Sequence, residues 1–328
     1  MNSLSKTDIR TFRRLGIAAL ALVGILLLAL AFPGCTSSQE AGKEEAAGTD
    51  QPDKVQVIAS FYPLYDFAQK IGGERVEVTN LVPAGTEPHD WEPSTTDIRT
   101  LENADILVFN GAGMEHWTDD VLSSLTNDHL IAVEASDGVA LRAAGESEGG
   151  EDEHGSYDPH VWLAPENAKI EMENIKDALV QADPAGKEYY ETNYAKWAQE
   201  CDDLDKEFSE QLEHTSSKDI VVSHEAFGYL CEAYGLNQVP IEGIDADAEP
   251  NAQQLAEITD FVKENGVRVI FSEELVSPKI AQTIADATGA TMKELNPLEG
   301  LTDDQLSAGE DYFSIMRSNL QELKESLS

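Results

Sequence analysis

The chain has 328 residues, with 62 Asp and Glu against 22 Lys and Arg and a formal net charge of −40. A surface this acidic repels nucleic acid and anionic lipid and raises the local concentration of cations, although it makes no specific site by itself. The length suffices for two domains of ordinary size.

At the amino terminus Lys6, Arg10, Arg13 and Arg14 precede an uncharged apolar run, Leu15 to Phe32, that ends at Pro33-Gly34-Cys35. Basic residues, an apolar run and small residues before a cut describe an export signal over residues 1–34. The terminal cysteine resembles a bacterial lipoprotein signal, in which Cys35 is acylated and becomes the mature first residue. Phe32 and Pro33 stand where such signals favour Leu and a small residue. An uncleaved anchor is the alternative, since 18 residues is the short edge of a spanning helix. Either way the rest of the chain is expected outside the cytoplasm, and without residues 1–34 it carries 18 basic against 61 acidic residues, or −43. Residues 35–53 contain no aromatic and read as a flexible tether.

From there apolar runs alternate with helical stretches. Val55–Ser60, Arg75–Val82, Asp105–Asn110 and Leu130–Glu134 read as strands, and Tyr62–Ile71 and Glu115–Leu125 as helices, with Thr95 or Thr96 capping another between them. This alternation predicts a layered βα domain with a mainly parallel sheet. Residues 144–157 interrupt it with an acidic loop holding four glycines. A helix follows from Pro165 to about Gln181, broken by Asp183-Pro184. A second helix, 185–213, would be about 43 Å long at 1.5 Å per residue, too long for one small sheet, so it is expected to join two lobes. The alternation then restarts with strands at Asp219–Ser223, Gln238–Glu242, Arg268–Ser272 and Thr291–Leu295, and a last helix over about 309–326. The fold expected is therefore α/β: two βα-sandwich lobes with mainly parallel sheets, residues 54–184 and 214–328, joined by one long rigid helix.

Three histidines fall where a strand or stiff loop stops. His89 lies in Gly85-Thr86-Glu87-Pro88-His89-Asp90-Trp91-Glu92-Pro93-Ser94, directly after an apolar strand. Flanking prolines stiffen that loop, and the carboxyl ends of strands are where α/β proteins hold ligands. His160 lies in Asp158-Pro159-His160-Val161-Trp162-Leu163-Ala164-Pro165, and His224 ends the strand Asp219–Ser223. Together they suggest a metal site built from distant segments. Imidazole suits zinc, copper, nickel and iron, whereas calcium and magnesium prefer oxygen. Three histidines and one carboxylate close a tetrahedron around Zn²⁺.

These motifs, with Ser223–Tyr229, Asn110–Trp117, Ala248-Glu249-Pro250 and Asn296-Pro297-Leu298, resemble the zinc-type substrate-binding proteins of bacterial metal ABC transporters. The resemblance covers about residue 54 to the end. It implies a metal site in the cleft between the lobes, with His89, His160 and His224 as ligands. It also implies zinc ion as cargo and an ABC permease in the membrane as partner. The expected protein is an extracytoplasmic zinc-binding lipoprotein, monomeric, anchored through Cys35 and not an enzyme. A manganese-specific member commonly has glutamate at the third position, so His224 favours zinc. The alternative readings are a manganese-specific relative and a metal-binding surface adhesin. A zinc hydrolase would need an open coordination position and a nearby base, and no HExxH motif is present.

Two departures stand out. The loop at 144–157 carries one histidine, where many zinc members are histidine-rich. The aspartate that some members use as a fourth ligand is Asn296 here. A neutral amide is a poor zinc ligand, so Glu299, three residues on in the same loop, is expected to complete the set, with water as the alternative. Trp91, Trp117, Trp162 and Tyr229 suit either the cleft wall or the core. Glu115, Glu225 and Glu249 are possible acceptors for ligand imidazoles. His129 and His214 are expected at the surface, and His116 is a weaker candidate near the metal. With Cys35 lipidated, Cys201 and Cys231 remain as a pair that an oxidising compartment permits to bond.

Overall fold

The computed structural model describes residues 54–144, 157–244 and 250–328. The expected signal, the tether and nearly all of the acidic loop lie outside these residues, as does Glu249. Strands β1 (Val55–Ala59), β2 (Val76–Asn80), β3 (Ile106–Phe109) and β4 (Ile131–Glu134) form one sheet in the order β2-β1-β3-β4. Strands β5 (Asp219–Val222), β6 (Asn237–Pro240), β7 (Val269–Ser272) and β8 (Thr291–Glu294) form a second, in the order β6-β5-β7-β8. Every pairing is parallel. Both sheets thus reverse direction beside their first strand, which is where the loops at the carboxyl ends part and leave room for a ligand.

Helices α1 (Tyr62–Gly72), α2 (Thr95–Leu101) and α3 (Thr118–Ser124) belong to the first half, and α4 (Pro165–Ala182) leads to α5 (Lys187–Leu212). The 26 residues of α5 span about 39 Å, and this is the long helix expected from the sequence. Helices α6 (Gly228–Tyr234), α7 (Ala252–Glu264), α8 (Lys279–Thr288), α9 (Asp303–Ala308) and α10 (Tyr312–Leu327) complete the chain.

Several boundaries differ from expectation, each for a local reason. The cap of α2 is Ser94, not Thr95 or Thr96: its hydroxyl accepts from the amides of Thr96 and Asp97, and the Asp97 carboxylate accepts from the Ser94 amide. Helix α3 starts at Thr118 rather than Glu115, because Gly111, Ala112 and Gly113 hold positive φ and the Glu115 carboxylate caps the amides of Asn110 and Gly111. The last helix starts at Tyr312 rather than 309, with Asp311 as its N-cap, and a short helix not expected from the sequence, α9, precedes it and ends at Gly309 at φ 80°.

The largest core spans both halves, and each half keeps a smaller cluster of its own, around Leu101 and Leu107 in the first and Val262 and Ile270 in the second. The spanning cluster runs without a break from Val57 and Phe67 through Leu179, Leu204 and Phe208 to Val222 and Met316. Helix α10 is the reason, since it returns from the second sheet to pack on the first half. Lys70 of α1 pairs with Asp66 at 2.7 Å and with Asp311 at 2.8 Å. The Tyr312 ring lies edge-on to Phe67 at 4.9 Å.

Cys201 and Cys231 are not bonded; both are buried free thiols, and burial pushes each up to about 12. Helices α5 and α6 meet instead through the stacked rings of Phe208 and Tyr234, 5.0 Å apart. Among the described residues no helix is long and apolar enough to cross a membrane.

Candidate metal centre

All four residues expected from the sequence meet at the carboxyl ends of the two sheets. His89 follows β2, where Leu81 and Val82 continue the pairing to Ala59 and Ser60 before the chain turns. The Glu87 carboxylate then folds the loop back by accepting from the His89 amide at 3.0 Å and the Asp90 amide at 3.4 Å. His160 is held by the aspartate of its own motif: Asp158 Oδ1 lies 2.9 Å from His160 Nδ1 and accepts from its amide at 3.0 Å. The other oxygen of Asp158 takes the Arg142 guanidinium at 2.6 Å, and Tyr229 donates to the Asp158 carbonyl at 2.9 Å.

His224 and Glu273 leave the adjacent strands β5 and β7, at the point where the second sheet reverses. There His224 Nδ1 lies 2.6 Å from Glu273 Oε1. Glu299 sits in the turn after β8. Leu298 takes a left-handed φ of 62°, and its amide donates to Asn296 Oδ1 at 2.6 Å. Asn319 grips the same residue twice, accepting from the Asn296 amide at 2.9 Å and donating to its carbonyl at 2.7 Å. Asn296 thus shapes the turn that presents Glu299 and points its amide at Glu274, away from the histidines.

The four side chains are fully enclosed, none more than 1% exposed. His160 Nε2 lies 3.2 Å from Nε2 of both His89 and His224. Glu299 Oε1 lies 3.3, 3.0 and 3.2 Å from Nε2 of His89, His160 and His224. Zinc bonds of about 2.0–2.1 Å describe a tetrahedron with edges of about 3.3–3.4 Å. The donor atoms therefore already stand close to the corners such an ion requires.

The charges follow from this crowding. Burial holds His89 down at about 4, only partly offset by Glu299, so its ring is neutral. Burial also acts against charge on His160 and His224, but hydrogen bonds and charge from Asp158 and Glu299 raise the first, and Glu273 and Glu299 raise the second well above the usual imidazole range. Burial would raise Glu299, yet the three histidines outweigh it and hold the carboxylate well below its usual range. The cluster thus sets one carboxylate against a neutral His89 and two imidazoles held toward their protonated form; a cation can take the place of those protons.

The orienting carboxylates were only partly legible in the sequence. Glu115 braces the β3 loop, accepting from Ser60 at 2.6 Å and from the amides of Asn110 and Gly111. Glu225 donates its amide to the Gly243 carbonyl. Asp158 and Glu273 fill the role instead. The Asp-Pro-His spelling carries a signal for the first; nothing in the sequence distinguishes Glu273 from Glu274. His116, His129 and His214 are exposed and outside the cluster. Trp162 and Tyr229 are buried beside it, while Trp91 and Trp117 form an edge-on pair 5.9 Å apart.

A family model described as the periplasmic zinc-uptake complex component A, ZnuA, matches residues 57–326. The chain belongs to the ZnuA family. It is 39% identical over 318 residues to the high-affinity zinc uptake system protein ZnuA of Bacillus subtilis, covering 93% of this chain and 97% of that protein. It is 38% identical over 278 residues to the zinc-binding lipoprotein AdcA of Streptococcus pneumoniae. That match covers 83% of this chain but 56% of AdcA, so the chain spans about half the length of this streptococcal relative. Among solved structures, the Zn(II)-bound ZnuA-like domain of pneumococcal AdcA aligns with a TM-score of 0.72 at 38% identity, over 84% of this chain and 99% of the domain. The laminin-binding protein Lmb of Streptococcus agalactiae, described as bifunctional with adhesin and metal transporting activity, aligns at 0.77 and 33% identity, over 84% of this chain and 100% of its own. The ZnuA-family fold is thus the two-sheet, long-helix architecture expected from the alternation of strands and helices.

Proposed function

We propose that this protein is the extracytoplasmic zinc-binding component of a metal ABC importer, which captures one Zn²⁺ and delivers it to a membrane permease. The ligands are Nε2 of His89, His160 and His224 and a carboxylate oxygen of Glu299. One observation carries the reading: four buried donor atoms of zinc-preferring type stand 3.0–3.3 Å apart along five of their six edges. Membership of the ZnuA family supports it. The fourth corner is a carboxylate, which leaves no open position for a reacting water, and no catalytic role is proposed.

The same reading has residues 1–34 exporting the chain, Cys35 carrying the lipid and residues 35–53 tethering a monomeric carrier to the membrane. The relative AdcA, named a lipoprotein, supports that arrangement. The lobes are residues 54–184 and 214–328, linked by 185–213.

Metal content after purification, followed by titration of the stripped protein with zinc and with manganese, tests the proposal. Metal that binds only the folded state stabilises it by mass action, so the melting temperature rises strongly with zinc and little with manganese. Equal shifts, or a larger one with manganese, overturn the zinc assignment. The likeness to Lmb favours a second reading, in which the same protein is also a surface adhesin. Failure to restore zinc-limited growth to a strain lacking its own zinc binder would leave adhesion as the main role.

A further inference from the structure

Trp162 joins the two metal-bearing halves through both its backbone and its side chain. Its indole N–H donates to the Pro297 carbonyl at 2.7 Å, two residues before Glu299. Its own carbonyl, two residues after His160, accepts from the Tyr312 hydroxyl at 2.7 Å. Its ring stands 5.4 Å from the His160 ring and packs edge-on against Phe61 at 4.9 Å. Trp162, His160 and Tyr312 are all fully buried. The segment bearing Glu299 is also tied to the first half by a backbone bond from the Gly85 amide to the Leu301 carbonyl at 3.1 Å.

We propose that Trp162 is a positioning residue that sets how fast the metal leaves, by crosslinking the His160 segment to the Glu299 segment. The inference rests on the zinc-carrier reading and adds to it a determinant of release. Two of the four ligands move together as long as the indole bond is made, so the ion cannot shed Glu299 while keeping His160. For the metal to escape an enclosed site, the Glu299 turn must withdraw, and withdrawing it breaks the bond to Pro297. Entry is taken to pass through an open state in which that bond is not made. The crosslink therefore acts on dissociation far more than on association. Other buried aromatics of the core, such as Phe67 or Phe208, lack a polar atom with which to make such a link.

The experiment compares wild type with Trp162→Phe in the soluble chain loaded with zinc, following release into excess chelator by stopped flow and capture by mixing stripped protein with zinc. The phenyl ring keeps most of the packing and removes the N–H. Release is expected about three- to tenfold faster, the range for loss of one buried hydrogen bond, with capture changed less than about twofold. Tyr312→Phe removes the second tie and is expected to speed release in the same direction; it carries the test by itself if Trp162→Phe does not fold. Melting of the stripped variants separates positioning from packing, since a packing defect lowers it and slows capture as well. Release at the wild-type rate in the folded variants, or equal changes in capture and release, overturns the inference. Wild type that takes up no zinc would instead overturn the zinc-carrier reading.

Discussion

Glu273 Oε1 stands 2.6 Å from Nδ1 of His224, and both side chains are almost fully buried. The pair leaves neighbouring strands of one sheet, so the backbone ladder fixes the distance between them. A carboxylate on Nδ1 sets the tautomer, turns Nε2 toward the other donors and makes it a stronger base. The equivalent partner of His160 is Asp158, whose second oxygen is neutralised by Arg142.

Glu273→Gln should therefore weaken zinc binding about 10- to 100-fold, the usual cost of losing such a partner, without unfolding the chain. Competition against a zinc-sensitive dye, alongside far-ultraviolet circular dichroism of the stripped protein, measures both. Wild-type affinity in a folded variant would show that Glu273 only packs.

Zinc binding should expel protons. In the metal-free protein His160 and His224 are raised above the ordinary imidazole range while His89 is held at about 4. His224, raised well above 6.5, is protonated at pH 7 and must lose that proton to ligate, and His160 is shifted in the same direction. Because their folded pKa values lie above 6.5, affinity should still be climbing between pH 7 and 8 and should fall steadily below 7. Calorimetry in buffers of different ionisation enthalpy is expected to report net proton release on zinc binding at neutral pH. Release of none, with flat affinity, would contradict histidine ligation.

Glu299→Gln and Asn296→Ala separate ligand from scaffold. The first removes a carboxylate that lies within reach of all three Nε2 atoms and should cost more than about 100-fold in zinc affinity, beyond the cost of losing an orienting partner. The second removes the acceptor of the Leu298 amide and should destabilise the fold by about 1–3 kcal/mol, with a smaller loss of affinity. If Asn296→Ala proves the more damaging to zinc binding, Glu299 is not the fourth ligand.

Glu171 on α4 offers a test away from the metal. It is fully buried, and neither carboxyl oxygen has a hydrogen-bond partner among the described residues. Burial first, and then the charge of Glu115, raises it well above the ordinary carboxyl range. The unfolded group ionises above about pH 4.3 while the folded one stays neutral, so stability drains away as pH rises from there, by up to about 1.4 kcal/mol per unit. Glu171→Met should raise the melting temperature of the stripped protein at pH 8, with the gain shrinking toward pH 4. No gain at pH 8 would mean that the carboxyl is satisfied in solution.

The alternation of apolar runs and helices and the long helix were legible in the sequence because each is a local matter. The meeting of the four site residues was expected instead from their loop-end settings and the resemblance of their motifs. Strand and helix periods repeat over a few residues, Asp183-Pro184 breaks the helix where it stands, and prolines stiffen the loops around His89 and His160. The absence of a carboxylate at Asn296 was likewise readable, and it directed attention to Glu299.

Other features depended on packing between residues far apart in the chain. Glu273 and Glu274 are adjacent and identical in type; only the register of β7 beside β5 decides that the first faces His224. Asn296 looks like a vacant ligand position until Leu298 adopts a left-handed backbone and needs its amide capped. The core that spans both halves depends on α10 returning to α1 and bonding Tyr312 to the Trp162 carbonyl, a contact between residues 150 apart. Cys201 and Cys231 were a plausible pair by number, but bonding requires a geometry that spacing cannot supply, and the helices that carry them meet through aromatic rings. Local sequence determines which elements form and what chemistry each loop end carries; the packing of the two sheets decides which side chains face one another.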